Sequence, residues 1–381
     1  MFNVKTLGQV FTPQFIVAEM LQLKRNCGRT LEPSCGDGAF FREIPDCIGI
    51  EIDASHCPSN AINMDFFDYP IEEKFDTIIG NPPYVRYQDI SEGTKGKLHS
   101  RLFDSRSNLY LFFIEKCIHH LNDGGELIFI TPRDFLKATS SIMLNKFIYE
   151  SGTITDLIDL GDKVVFKGFN PNCVIFRFEK GNYSRKTNIT KEFVFSNGQL
   201  LFTDNAYPLR FAELFFVKVG AVSGCDKLFT HKDGNKEFVC SETHKTGKTR
   251  TMIFNIPHET LIPHKELLMN RKVRKFDETN WYMWGRNHYV SDEKRVYVNS
   301  KTRNKNPFFT HKCNDYDGSI LAIFPKNQTV DIDEVCQALN EINWYELGFV
   351  CDGRYLFSQK SLENTPLPIS FRRFLPRTLF D

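Results

Sequence analysis

The chain has 381 residues, of which 41% are hydrophobic and 25% charged, and its formal net charge is +1. That length is ample for two domains with real cores. It holds no 18-residue apolar run and no basic stretch leading into a short apolar core, so neither a membrane span nor a secretory leader is expected. The first half alternates short apolar runs with longer amphipathic stretches, the pattern of a parallel sheet with crossover helices. Strands are expected at 30–33, 48–52, 61–64, 75–79, 126–131, 154–160 and 173–179, and helices at 13–23, 38–44, 109–121 and 140–150. Residues 122–125, Asn-Asp-Gly-Gly, read as the turn from a helix into the strand at 126. The polar stretch 89–107 is long for a loop of a compact domain, and such loops are usually functional. Around 196–209 the pattern lapses into Asn, Gly, Thr, Asp and Pro, which sets the expected boundary between a domain at 1–200 and one at 206–381. Beyond it the order is irregular and aromatic-rich, with one clear helix expected at 332–345.

The net charge hides an asymmetry. Residues 1–180 hold 19 basic and 24 acidic side chains, residues 181–381 hold 29 and 23, and residues 265–312 alone hold 12 and 5. An acidic first half joined to a basic second half suggests a catalytic domain beside a domain that binds a polyanion. The eleven cysteines are scattered without a CxxC pair and read as reduced thiols of a cytoplasmic protein. Cys225, His231, Cys240 and His244 match no common finger spacing, and no metal is expected.

The chemistry concentrates at strand ends. Leu31-Glu32-Pro33-Ser34-Cys35-Gly36-Asp37-Gly38 is a strand followed by a Gly-rich turn, and Gly36 and Gly38 let backbone approach a ligand where a Cβ would intervene. The pattern differs from the dinucleotide GxGxxG, so no pyrophosphate is implied. The next strand ends in Glu51-Ile52-Asp53, placing an acid where a ribose diol is held in doubly wound folds. A third ends in Asp65-Phe66, offering a carboxylate to an adenine amine and a ring to its face. Together these suit an adenosine moiety without phosphates. The run 77–80 ends in Asn81-Pro82-Pro83-Tyr84, where two prolines hold the backbone extended and present an amide beside a ring. Such a pair suits a planar substrate with an exocyclic amine.

These segments resemble motifs I to IV of S-adenosylmethionine-dependent amino-methyltransferases. Gly8-Gln9-Val10-Phe11-Thr12-Pro13 resembles motif X, and its place before motif I is the γ-class order of DNA adenine-N6 methyltransferases from type II restriction–modification systems. Asn108-Leu109-Tyr110 resembles motif V, Gly124-Gly125-Glu126-Leu127 motif VI, and Phe166-Lys167-Gly168-Phe169 motif VIII. The resemblance implies a Rossmann-like, doubly wound α/β sheet followed by a mixed α+β DNA-recognition domain. It implies S-adenosyl-L-methionine as methyl donor, contacted by Thr12, Glu32, Gly36, Gly38, Glu51, Ile52, Asp65, Phe66 and Asn81. It also implies catalysis by Asn81 and Pro82, with Tyr84 and Phe166 as aromatic walls for a flipped base and Phe169 the alternative to Phe166.

The expected reaction is methyl transfer to N6 of an adenine flipped from a short duplex sequence. Cytosine N4 offers a similar amine, and RNA or a protein glutamine are more distant substrates. Recognition of double-stranded DNA falls to the basic half, with Arg86, Arg271, Lys272, Arg274, Arg286, Lys301 and Arg303 as candidate contacts. Lys275, Lys294, Arg295 and Lys305 extend that basic set. The cluster 281–284 reads equally as core. A monomer in the bacterial or archaeal cytoplasm, associated with the nucleoid, is expected. So is functional pairing with a separate restriction endonuclease, since no nuclease motif stands out.

Overall fold

The computed structural model describes residues 11–103, 107–161, 163, 165, 166, 172–203, 207–351 and 353–375. It divides into two compact units, Met1–Asp204 with Glu346–Asp352, and Asn205–Tyr345 with Gly353–Asp381. Among the described residues, no helix is long and apolar enough to cross a membrane.

The first unit is built on a seven-stranded sheet of β1 (Thr30–Glu32), β2 (Ile48–Glu51), β3 (Ile62–Asn63), β4 (Phe75–Gly80), β5 (Leu121–Pro132), β6 (Gly152–Asp159) and β7 (Cys173–Lys180), in the order β3-β2-β1-β4-β5-β7-β6. The first five strands pair in parallel, and β7 runs antiparallel to both β5 and β6. Strand order reverses direction at β1 and β4, so their carboxyl ends open the crevice where doubly wound sheets hold ligands. The helices are α1 (Gln14–Leu21), the short α2 (Glu92–Lys95), α3 (Leu109–His120) and α4 (Ile142–Ser151).

The apolar runs are continuous because both faces of the sheet are covered. Ile78, Leu127, Phe129, Val174 and Phe176 pack into one layer with Phe113 and Ile114 of α3 and Leu144 and Ile148 of α4. Their strand neighbours Ile79, Ile128, Ile130, Cys173 and Ile175 pack into the other, with Ile16, Val17 and Met20 of α1. The period of two along each strand thus assigns alternate residues to opposite layers.

Three expectations for the first unit need correction. Residues 38–44 form turns rather than a helix, since Gly38 sits at φ +86° and Pro45 closes the segment. Strand β5 starts at Leu121, five residues early; the expected turn 122–125 lies within it, marked by Gly124 at φ +78° and a register shift between Phe75 and Thr77. The hairpin of β8 (Glu192–Ser196) and β9 (Gln199–Thr203) falls partly where the pattern reads as boundary.

The segment 346–352 belongs to the first unit although its sequence neighbours belong to the second. Arg133 donates to the Val350 carbonyl at 3.0 Å, and the Lys137 ammonium lies 3.8 Å from the Phe349 ring centre.

The second unit carries a four-stranded antiparallel sheet of Phe215–Val219, Ile320–Pro325, Val296–Asn299 and Phe308–Phe309. Its helix Ile332–Glu341 stops short of the expected 345, and Asp331 caps it by accepting from the Asp333 amide at 2.9 Å. The residues 281–284 resolve as core: Trp281 and Trp284 are buried with Phe229, Phe238 and Met252.

Candidate active site

The carboxyl ends of β1 to β4 line a cleft that opens to solvent. β1 leads into Pro33, Ser34 and Gly36; β2 contributes Glu51 and Ile52; β3 leads into Met64, Asp65 and Phe66; β4 leads into Asn81 and Pro83. Among the described residues the lining holds two carboxylates and no basic side chain. That donor set does not suit a phosphate and does suit an uncharged, polyhydroxylated nucleoside with an amine to donate.

Each polar group is fixed by local backbone. Gly36 sits at φ +53°, a left-handed conformation that L side chains adopt at a cost. Its amide donates to Glu51 Oε2 at 2.8 Å, while Glu51 Oε1 accepts from the Asp53 amide at 2.8 Å. The Glu51 carboxylate is therefore anchored at the rim of β2. Asp53 is instead occupied in a local turn with Ser55 and His56, at 2.6 and 2.9 Å. Asp65 caps the next turn by accepting from the Phe67 amide at 3.0 Å. Asn81 Nδ2 lies 3.3 Å from Thr12 Oγ1, tying the residues before α1 to the end of β4.

Of the candidate donor-site residues, Gly36, Glu51, Ile52, Asp65, Phe66 and Asn81 line the cleft, and Thr12 reaches it through Asn81. Glu32 does not. It is 2% exposed and accepts from the Phe41 amide at 2.7 Å, so it braces the Gly-rich turn from beneath the strand. Burial, with Asp37 and Glu51 nearby, holds its carboxyl well above the usual range despite that amide bond. Gly38 also lies outside the lining, and its positive φ shapes the turn.

Tyr84 donates its hydroxyl to the Ile130 carbonyl at 2.8 Å, and its ring packs edge-to-face with Tyr110 and Phe166, at centroid distances of 5.9 and 6.3 Å. Phe166 is buried in the same layer. The structure thus brings the two aromatic candidates into contact edge-to-face rather than as parallel walls. Pro82 is buried between Asn81 and Pro83. Gly8, Gln9 and Val10 of the motif X segment, and Lys167, Gly168 and Phe169, lie outside the described residues.

The sequence reading missed the apolar walls of the cleft, Phe11, Met64, Ile90, Leu109 and Phe113, and the hydroxyls of Ser91 and Thr94. Ile90, Ser91 and Thr94 come from the long polar stretch 89–107, whose length was the available signal. Leu109 and Phe113 stand four residues apart on α3, one turn of a single face.

Among the candidate DNA contacts, Arg271 requires correction. It is 8% exposed, and its guanidinium donates to the carbonyls of Leu268, Ser223, Trp281 and Met283. Four buried carbonyls make it a staple of the second unit. Burial pushes it down to about 10. Arg295 is buried in the same way, donating to the carbonyls of Glu293, Ser291 and Asn314. Lys272, Arg274, Lys275, Arg286, Lys294, Lys301, Arg303 and Lys305 are exposed. Arg86 in the first unit is exposed and paired with Asp89 at 2.8 Å. Among the described residues no group of His, Cys, Asp and Glu could hold a metal ion.

Residues 40–166 match the family model described as Eco57I restriction-modification methylase. The chain is 33% identical over 202 residues to the type II methyltransferase M.HincII of Haemophilus influenzae, covering 48% of this chain and 39% of that protein. It is 34% identical over 199 residues to M.TthHB8I of Thermus thermophilus, covering 46% of each. The chain thus spans less than half the length of these relatives. Among solved structures it resembles the type IIL restriction-modification enzyme MmeI in complex with DNA, with a TM-score of 0.57 at 11% identity over 93% of this chain and 64% of that one. That likeness is one of fold. The doubly wound sheet, the strand-end cleft and the match over 40–166 make the first unit of this chain similar to the methylase domains that the Eco57I restriction-modification model describes.

Proposed function

We propose that this protein is a site-specific DNA methyltransferase of a type II restriction–modification system, acting on N6 of an adenine flipped out of a short duplex sequence. The observation that carries the reading is the position of Asn81: at the end of β4, tied to Thr12, on the wall of a cleft whose described residues include two carboxylates and no basic side chain. When bound, S-adenosylmethionine supplies an electrophilic sulfonium methyl group.

The chain's own residues do the rest. Glu51 accepts from ribose hydroxyls and Asp65 from the donor's purine amine, while Ile52, Leu109 and Phe113 cover the purine faces. An exocyclic aromatic amine is a poor nucleophile because its lone pair is delocalised into the ring. The Asn81 side-chain oxygen and the Pro82 carbonyl accept from that amine and aim its lone pair toward the methyl. With the donor bound, the carbon–sulfur bond of the sulfonium would break as the amine nitrogen takes the methyl, and the amine proton would then leave to solvent, so positioning and electrostatics replace a strong base. Extruding the base from the duplex costs about a few kcal/mol, and stacking on Tyr84 returns about 1–3 kcal/mol. Tyr84 and Phe166 must part from their edge-to-face contact to flank it. The exposed basic side chains of the second unit supply phosphate contacts and base readout.

Incubation with labelled donor and mixed-sequence duplex DNA, followed by hydrolysis and nucleoside analysis, tests the reading. N6-methyladenine is expected; N4-methylcytosine would replace adenine by cytosine as the target, and no methylated base would overturn the proposal. Asn81→Ala is expected to lower turnover by at least about 100-fold while leaving donor affinity within about threefold of wild type.

A further inference from the structure

The helical turn α2 reaches the cleft through side chains the proposed mechanism does not use. Asp65 Oδ1 is engaged by the Phe67 amide at 3.0 Å. Its Oδ2 accepts from Thr94 Oγ1 at 3.1 Å and from Lys97 Nζ at 3.2 Å. Lys97 is held in turn by Asp68. Ser91 caps α2 by accepting from the Thr94 amide at 3.2 Å, and its hydroxyl lies 3.0 Å from Thr94 Oγ1. A hydroxyl carries one proton. With the Ser91 hydroxyl donating to Thr94, the Thr94 proton is directed at Asp65.

Asp65 is therefore gripped on both oxygens by a backbone amide, a hydroxyl and an ammonium, while it still faces the cleft. A carboxylate with these three donors behind it cannot swing, and what it offers the cleft is acceptor only. Such a group selects a ligand edge that donates. A 6-amino purine donates there, whereas a 6-oxo purine sets a carbonyl oxygen against the carboxylate. An ungripped aspartate could turn aside and admit either.

We propose that Thr94 and Lys97 form a clasp on Asp65 that makes the donor pocket selective for an amino-bearing purine over its oxo-bearing analogue. They are positioning residues: neither is required to touch the reacting atoms. The inference rests on the reading of the cleft as the donor site, and it gives stretch 89–107 a role in ligand discrimination.

The test is calorimetric titration of the full chain with S-adenosylhomocysteine and with S-inosylhomocysteine. A fixed acceptor should favour the adenosyl compound by about 30-fold or more, given the cost of leaving a polar site wrongly paired. In Lys97→Met combined with Thr94→Val the ratio is expected to fall below about 5-fold, chiefly by weakening the adenosyl compound. Lys97→Arg with Thr94→Ser should restore most of it. Lys97 is partly exposed, so Lys97→Met alone is a second variant that keeps the fold and should lower the ratio by an intermediate amount. If both compounds weakened in parallel with their ratio unchanged, the clasp would be overturned and the donor site kept. If the wild-type chain bound neither compound, the donor-site reading would fall and the clasp with it.

Discussion

Tyr84 is held at both ends, by the Ile130 carbonyl at its hydroxyl and by the rings of Tyr110 and Phe166 along its edges. Burial raises that hydroxyl well above the ordinary phenol range, so it remains a donor at any physiological pH. Tyr84→Phe removes one buried bond and orphans a carbonyl, a loss of about 1 kcal/mol measurable by denaturant unfolding. Because stacking needs the ring and not the hydroxyl, methyl transfer by that variant should stay within about threefold of wild type. Residue positions were legible where a strand end forced them. Asn81, Glu51 and Asp65 follow apolar runs whose length fixes where each chain leaves the sheet. Glu32 was not legible in the same way, because a carboxylate at a strand end serves equally as ligand contact or as brace, and the difference lies in whether the Phe41 amide reaches it. Arg271 shows the same ambiguity in a basic run: its four carbonyl partners come from three separate stretches of chain.

At the scale of elements, β5 and β7 are joined by a buried ion pair as well as by their ladder. Glu126 accepts from Arg177 Nε at 2.6 Å, from Thr77 Oγ1 at 3.0 Å and from the Arg25 and Asn26 amides, each at 2.9 Å. It lies at the end of the sheet away from the cleft, which marks it as structural. Glu126→Ala strands the Arg177 guanidinium without its main counter-charge and should cost about 3–5 kcal/mol in unfolding free energy. The end of α3 carries a second buried group, His120, fully enclosed by Phe66, Tyr69 and Phe75 with Nδ1 2.7 Å from the Glu73 carbonyl. Burial pulls it down to about 4 from its usual 6.5. The unfolded chain therefore takes the proton first: stability from this site is complete above pH about 6.5 and falls as pH drops toward 4, at up to about 1.4 kcal/mol per pH unit. His120→Gln should flatten that part of the acid-unfolding profile. The sheet was legible because strands buried on both faces read as unbroken apolar runs. The hairpin of β8 and β9 was not, since Ser196 and its Asn-Gly neighbours read as a boundary before they read as a turn.

At the scale of the whole chain, charge separates the two halves more clearly than any motif does. If the exposed cations of the second unit meet phosphates, DNA affinity should fall steeply with salt, and Arg274→Ala should lower the slope of log affinity against log salt by about 1. Arg271→Ala should instead lower the melting temperature and leave that slope nearly unchanged in the folded fraction, which a melting curve and a filter-binding series would separate. The second unit resisted sequence reading because its strands are as short as two residues and one of its cores is assembled from aromatic and aliphatic side chains scattered over residues 221–284. Periodicity needs longer runs to show itself.

The excursion at 346–352 has a consequence for how the first unit is completed. Its Val350 carbonyl receives Arg133, and its Phe349 ring covers the Lys137 ammonium, which burial holds well below the ordinary lysine range. The ribosome makes those partners more than 200 residues after Arg133 and Lys137. During synthesis the seven-stranded sheet can therefore assemble early, but Lys137 stays hydrated until residues 349 and 350 have emerged. A fragment ending near residue 204 would carry the strand-end cleft and still lack this late-arriving cover.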